Sequence, residues 1–211
     1  MTDENNTQDK TTPEGPQDNL SITHHSITIN GRELKYTATA GTMILKEESE
    51  QGGDAKDENE GDKPKAEIFF VAYTLDRDES VSELEHRRQR PVTFSFNGGP
   101  GSSSVWLHLG LLGPRRVAMG DVDDLLPPPY QLVDNEFSLL DETDLVFIDP
   151  VTTGYSRAVE GENPKQFHNF KKDIASVGDF IRLYTTRYNR WTSPKFLIGE
   201  SYGTTRSAGL S

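Results

Sequence analysis

The chain has no cysteine among its 211 residues, which excludes a disulfide framework, a thiolate nucleophile and any cysteine-built metal site. Its start, MTDENNTQDK, lacks a basic, apolar leader, and no later apolar run reaches bilayer-spanning length. Secretion and membrane insertion are read from those features, so the expectation is a soluble, cytoplasmic protein with no membrane partner. Apolar side chains are scarce at 33%, below the usual share for a globular chain. Basic residues are outnumbered, with 22 Lys and Arg against 34 Asp and Glu and a formal net charge of −12. Both shortages trace to two segments. Residues 1–19 carry five acids and one base, and residues 47–65 carry eight acids and three bases, so they contribute −4 and −5 of that charge. They read as a disordered acidic tail and a flexible acidic loop. The remainder, residues 20–211 without that loop, is close to balanced, which argues against a nucleic-acid partner.

What is present is patterned. SITHHSITIN, RELKYTATA and TMILKE alternate apolar and polar residues with NG and AG between them, which predicts an antiparallel meander turning at each pair. AEIFFVAYTL predicts another strand, and the charged stretch 76–90 a surface connection with a helical turn. PVTFSF is a short β-type run, and SSSVWLHLGLL after it (residues 102–112) predicts a buried helix stopped by Gly113 and Pro114. The three prolines within 121–134 exclude regular structure across them. DLVFID is apolar throughout, the signature of a strand buried on both faces. Residues 163–190 predict one long helix, with Asn163 as cap, Pro164 in its first turn, and a stripe of Phe167, Phe170, Ile174, Val177, Ile181, Tyr184 and Tyr188. KFLI predicts a further buried strand and TTRSAGLS the start of a helix. Strand, helix, strand, helix in the second half means an α/β fold.

Gly199-Glu200-Ser201-Tyr202-Gly203 matches G-x-S-x-G. The pattern alone is weak, but its context is the required one: a buried strand before it, a helix after it, and glycines where flanking side chains would collide. An acyl-transfer serine also needs two amide donors aimed at the developing oxyanion. One would be Tyr202, the residue after the nucleophile. The other would come from the glycine-rich stretch Asn97-Gly98-Gly99-Pro100-Gly101, which follows PVTFSF. Read as a phosphate loop, that stretch lacks the Lys of G-x-x-x-x-G-K-[ST], so nucleotide binding carries little weight.

FNGGPGSSS, NEFSLLDETDLVFIDPVTTGYSRA and GESYGTTRSAGLS, in that order, resemble the serine carboxypeptidases, peptidase family S10, from about Phe94 onward. The resemblance implies an α/β-hydrolase fold: a mostly parallel central sheet, preceded by the antiparallel meander. It implies Ser201 as nucleophile, with Gly99 and Tyr202 as oxyanion donors. Asn97 and Glu200 would bind the C-terminal carboxylate of a peptide or protein substrate, with no cofactor and no metal. Two carboxylates in one desolvated site cannot both stay ionised, so that role implies an acidic pH optimum. The chain departs from the family pattern at three places: Ser95 stands where relatives carry Trp, Leu111 where they carry an acid, and Thr152 where they carry Gly. Ser102, where many relatives have Cys, suits a chain without disulfides.

In α/β-hydrolases the triad Asp and His follow the nucleophile, and neither occurs after Ser201. His24, His25, His86 and His168 read as surface residues. His108 is nearest the glycine loop in sequence and is the one histidine left as a candidate base. Asp149 reads as the cap of its Asp-Pro turn. The expectation is therefore a hydrolase domain truncated after its nucleophile elbow, inactive as 211 residues alone. Two alternatives stay open: a catalytically inactive binding or interaction module, and an esterase or acyltransferase on the same scaffold.

Overall fold

Alternation of apolar and polar side chains builds the first layer. In the computed structural model, which describes residues 15–47, 63–77, 80–121, 124 and 126–211, strands β1 (Asn19–Ile29), β2 (Arg32–Glu47) and β3 (Lys63–Leu75) form an antiparallel meander. The expected turn at AG is absent, because β2 runs straight through Gly41. A Cβ there would lie 1.9 Å from Asn19 O, so the glycine admits a neighbouring backbone rather than a turn. The acidic loop falls mostly on residues 48–62, outside the described residues, and β3 takes up positions 63–65. Most of the acidic tail lies outside them too. Asp18, at its end, accepts a hydrogen bond from Ile44 N at 2.7 Å and pairs with Arg187.

Helix α1 (Glu83–Gln89), capped by Ser82, leads into β4 (Val92–Phe96), which is buried at every position. The next segment corrects the expected buried helix. It is a single α-turn, α2 (Val105–Leu107), continued by a π-helical turn, His108–Leu112. Trp106 is 70% exposed, and Leu107 and Leu112 alone of its large apolar side chains are buried. The short strands β5 (Arg115–Val117) and β6 (Leu132–Asp134) pair with each other, flanking the proline-rich crossing. A 3₁₀ turn, Leu139–Asp141, leads into β7 (Asp144–Ile148), buried throughout as its composition predicts. β8 (Arg157–Ala158) adds two residues beside β3.

The long helix of residues 163–190 is two pieces. Asn163 caps a 3₁₀ turn, Pro164–His168, and Asn169 accepts from Lys171 N at 2.9 Å to cap α3 (Phe170–Arg187) afresh. A second asparagine cap interrupts the periodicity, and Phe170 is left largely exposed while Phe180 joins Val177 and Tyr184 in the core. β9 (Lys195–Gly199) and α4 (Tyr202–Leu210) complete the described chain. The large sheet runs β1-β2-β3-β7-β4-β9, with β7, β4 and β9 mutually parallel and the other pairings antiparallel. It is therefore mixed rather than mostly parallel, because only the βα-connected second half supplies parallel strands. Among the described residues β9 lies at the edge of the sheet, and Phe196 on it is 55% exposed, so KFLI is not the buried strand that its composition predicts. Val92, Phe94, Phe96, Val146 and Ile148 pack with α3 on one face of the sheet. Leu145 and Phe147 pack on the other with Leu107, Leu112 and Leu140.

The amino ends of the parallel strands are fastened by charge. Asp144 is fully buried between Arg90, whose Nε donates at 2.8 Å, and Arg190. The spare guanidinium donors go to the carbonyls of Leu140, Asp141, Arg90 and Pro91 and, from Arg190 Nε, to the Ser193 hydroxyl. The carboxyl ends are left for the site.

Candidate functional site

Open α/β sheets place their sites at the carboxyl ends of parallel strands, and here three such ends supply one part each. β9 gives the turn at Ser201. β4 gives the loop from Asn97 to Ser104, and β7 gives Asp149.

Ser201 stands between the last residue pair of β9 and the first turn of α4 with φ 55° and ψ −123°. A non-glycine residue held there stores about 1–3 kcal/mol of backbone strain, a feature concentrated at functional turns. Crowding explains the flanking glycines. A Cβ on Gly199 would lie 2.1 Å from Gly203 O, and one on Gly203 would lie 2.6 Å from Phe96 O. The turn holds Ser201 exposed at the head of the helix.

The glycine loop lies directly on this turn. A Cβ on Gly98 would meet Tyr202 N at 2.4 Å and Glu200 O at 2.7 Å. Gly98 O accepts from Ser102 N at 2.9 Å, and in a planar trans peptide the N–H of Gly99 then points the opposite way. Tyr202 N belongs to the open first turn of α4, where helical amides have no intrahelical acceptor. Among the described residues, neither the Gly99 nor the Tyr202 amide donates a hydrogen bond. An exposed hydroxyl beside two free amides is the donor arrangement that acyl transfer uses.

Asn97 is buried behind the turn. Its Nδ2 donates to Glu200 Oε2 at 3.2 Å, and its Oδ1 accepts from Leu107 N at 3.1 Å, which fixes the amide orientation. Glu200 is exposed. The two residues expected to share a substrate carboxylate are thus adjacent, with Glu200 outermost.

Asp149 caps its turn by accepting from Tyr155 N at 3.2 Å, as expected, but its other oxygen accepts from Ser104 N at 2.8 Å. That second bond ties the far end of the glycine loop to β7. Burial pushes the Asp149 carboxyl above the usual range, and the two amides partly offset this. Arg206 of α4 is a residue that sequence reading misses. It is the only ionisable side chain in TTRSAGLS, and it is 1% exposed.

The histidines do not reach Ser201. Among the described residues, no hydrogen bond joins the Ser201 hydroxyl to a titratable side chain. His24 and His25 are exposed on β1, where His24 Nδ1 meets Thr37 Oγ1 at 3.0 Å and His25 stacks on Tyr36. His168 is exposed at the end of its 3₁₀ turn, and His86 lies in the last turn of α1. His108, the candidate base, is committed elsewhere: its Nε2 lies 2.7 Å from the Tyr73 hydroxyl and its ring stacks on Phe147 with centroids 4.6 Å apart. Burial lowers its pKa to about 4. The three departures are also placed. Ser95 is fully enclosed, and its hydroxyl has no hydrogen-bond partner among the described residues. Leu111 is 58% exposed on the π-helical turn. Thr152 adopts φ 72°, the left-handed backbone that a glycine would take without strain.

These features define an α/β protein with a mixed sheet that presents a strained serine beside a glycine loop. Residues 59–206 match the family described as serine carboxypeptidase, and the chain belongs to that family. It is 31% identical over 155 residues to the pheromone-processing carboxypeptidase KEX1 of Saccharomyces cerevisiae, a match covering 70% of this chain and 19% of that protein. It is 28% identical over 148 residues to carboxypeptidase Y homolog A of Talaromyces stipitatus, covering 69% of this chain and 22% of the relative. The chain therefore spans about a fifth of the length of the curated relatives it matches. No helix among the described residues is long and apolar enough to cross a membrane.

Proposed function

We propose that this chain carries the nucleophile and oxyanion half of a serine-type carboxypeptidase, which hydrolyses the last peptide bond of a substrate through an acyl-enzyme on Ser201. The observation that carries the reading is the junction of the strained, exposed Ser201 with the unpaired amides of Gly99 and Tyr202. The relatives named as carboxypeptidases support the choice of reaction.

In this reading the Ser201 oxygen attacks the carbonyl carbon of the scissile bond as its proton passes to an imidazole. The two amides take the charge that develops on the carbonyl oxygen. The tetrahedral adduct collapses by expelling the leaving amine, which receives that proton, and water then cleaves the ester by the reverse roles. None of the five histidines described above bonds to Ser201, so the imidazole and its acid partner are taken from residues outside this sequence. The 211 residues alone would then keep oxyanion stabilisation but lack an activated nucleophile. Glu200, exposed beside Asn97, would meet the free C-terminus of the substrate, and the acidic optimum expected from two neighbouring carboxylates belongs to this reading.

A second reading, an esterase or acyltransferase, is favoured by Ser95 and Leu111. The first is sealed from solvent and the second is apolar, so neither contributes to carboxylate recognition. Turnover of the native protein separates the two. Peptides with a free C-terminus should be cleaved, and the same peptides amidated at that end should be cleaved at least about tenfold more slowly for the loss of one charge-assisted contact. Faster hydrolysis of simple esters than of any free-ended peptide would favour the second reading. Retention of full activity by Ser201→Ala would overturn both.

A further inference from the structure

The elbow helix carries a single buried charge, and that charge faces the glycine loop. The Arg206 guanidinium donates through Nη1 to Asn97 O at 2.6 Å and through Nη2 to Pro100 O at 2.8 Å. Its Nε and Nη2 also meet the two oxygens of Asp173, on α3, at 2.8 and 3.2 Å. Its Cζ lies 5.1 Å from the centroid of the Tyr202 ring, one helical turn back. One side chain therefore touches both segments whose amides are unpaired.

The geometry of the loop shows what these contacts do. With three glycines and a proline between Asn97 and Ser102, the loop has almost no side chains to hold it. Arg206 pulls the Asn97 and Pro100 carbonyls inward, and the bond from Ser102 N fixes the Gly98 carbonyl between them. Because each peptide is planar, fixing these three carbonyls sets where the Gly99 N–H points. On the other side, the guanidinium face against Tyr202 is a cation–π contact that braces the residue supplying the second amide. A buried ion pair is a poor source of net stability, and apolar replacements of similar volume often serve as well. The two bonds to loop carbonyls are what an apolar replacement could not reproduce.

We propose that Arg206, anchored by Asp173, is a positioning residue that sets both oxyanion donors at once. The proposal rests on the reading of Ser201 as an acyl-transfer nucleophile. It is tested on the native protein with Arg206→Met, which keeps the volume and removes the donors, and Arg206→Lys, which keeps the charge but cannot bridge two carbonyls and a carboxylate together. Turnover of a free-ended peptide is compared with the affinity of a peptide aldehyde that forms a tetrahedral adduct on the serine.

For Arg206→Met, kcat should fall about 100-fold, the scale of a lost oxyanion donor. KM should stay within about threefold, since the loss is felt only in the transition state. Aldehyde affinity should fall in parallel with kcat. Arg206→Lys should lose about tenfold in kcat with an unchanged thermal midpoint, as a single ammonium restores part of the donor set. It decides the matter if the Met variant does not fold. Wild-type kcat in a folded Lys or Met variant, or a loss confined to KM, would overturn the role of Arg206 while leaving Ser201 in place. An active native protein in which Ser201→Ala has no effect would instead remove the reading on which the proposal stands.

Discussion

His108 shows how a residue legible as chemistry can turn out to be packing. Its place a few residues after the glycine loop makes it a candidate base, yet the structure spends its ring on Tyr73 and Phe147. Sequence separation says which histidine is near in the chain, not which way a π-helical turn aims it. Its burial has a measurable consequence. The imidazole is held neutral, with a folded pKa of about 4 against an ordinary value of 6.5. A base whose folded pKa is depressed contributes its full stability above pH 6.5 and loses it as pH falls toward 4. At about 1.4 kcal/mol per tenfold change in proton affinity, the loss amounts to at most about 3 kcal/mol. His86, also lowered by burial, acts in the same direction. Urea unfolding at pH 7 and pH 4.5 should therefore show a large acid destabilisation that His108→Leu reduces. An equal pH dependence in that variant would show that His108 is not buried neutral. By contrast, the strand-turn-helix around Ser201 and the loop against it are legible, because close backbone approach demands glycine at Gly98, Gly199 and Gly203. The bond from Ser104 N to Asp149 and the contacts of Arg206 with the glycine loop are not, because they join residues 45 and 109 positions apart.

At the scale of elements, the buried strand DLVFID and the helix TTRSAGLS follow from composition, and their identity survives in β7 and α4. Boundaries fare worse where two local signals compete. Asn163 and Asn169 are both good caps, and the second splits a continuous apolar stripe into a 3₁₀ turn and α3. Gly41 looks like a turn residue, but cross-strand pairing with both neighbours carries β2 through it. KFLI reads as buried, yet a strand's burial depends on what pairs beyond it, which no local pattern reveals. The buried Arg90–Asp144–Arg190 group is likewise invisible in sequence, since it joins residues 54 and 46 positions apart. It holds the amino ends of β4, β7 and β9 in register, opposite the site. Asp144→Asn would leave two buried guanidinium groups without a counter-charge, and the expected cost is about 3–5 kcal/mol. A chemical-denaturation midpoint within error of the wild type would show that the three strands are fastened by packing alone.

Across the whole molecule, the sheet separates two apolar layers, and the two ends of its parallel strands have different tasks. Fully paired charge closes one end. At the other, donors and a hydroxyl are left without partners among the described residues, the condition under which a folded protein can do chemistry on something else. Family membership places the chain among serine carboxypeptidases, and in the function proposed above Ser201, the glycine loop and Glu200 are the part of such a site that this sequence supplies. The most direct test of that account is covalent. The native protein is treated with a fluorophosphonate, digested after Lys and Arg, and the peptide Phe196–Arg206 is weighed and fragmented. The account predicts a single phosphonyl adduct on Ser201, lost in Ser201→Ala together with hydrolysis of free-ended peptides. An unmodified Ser201 in protein that still cleaves those peptides would contradict it.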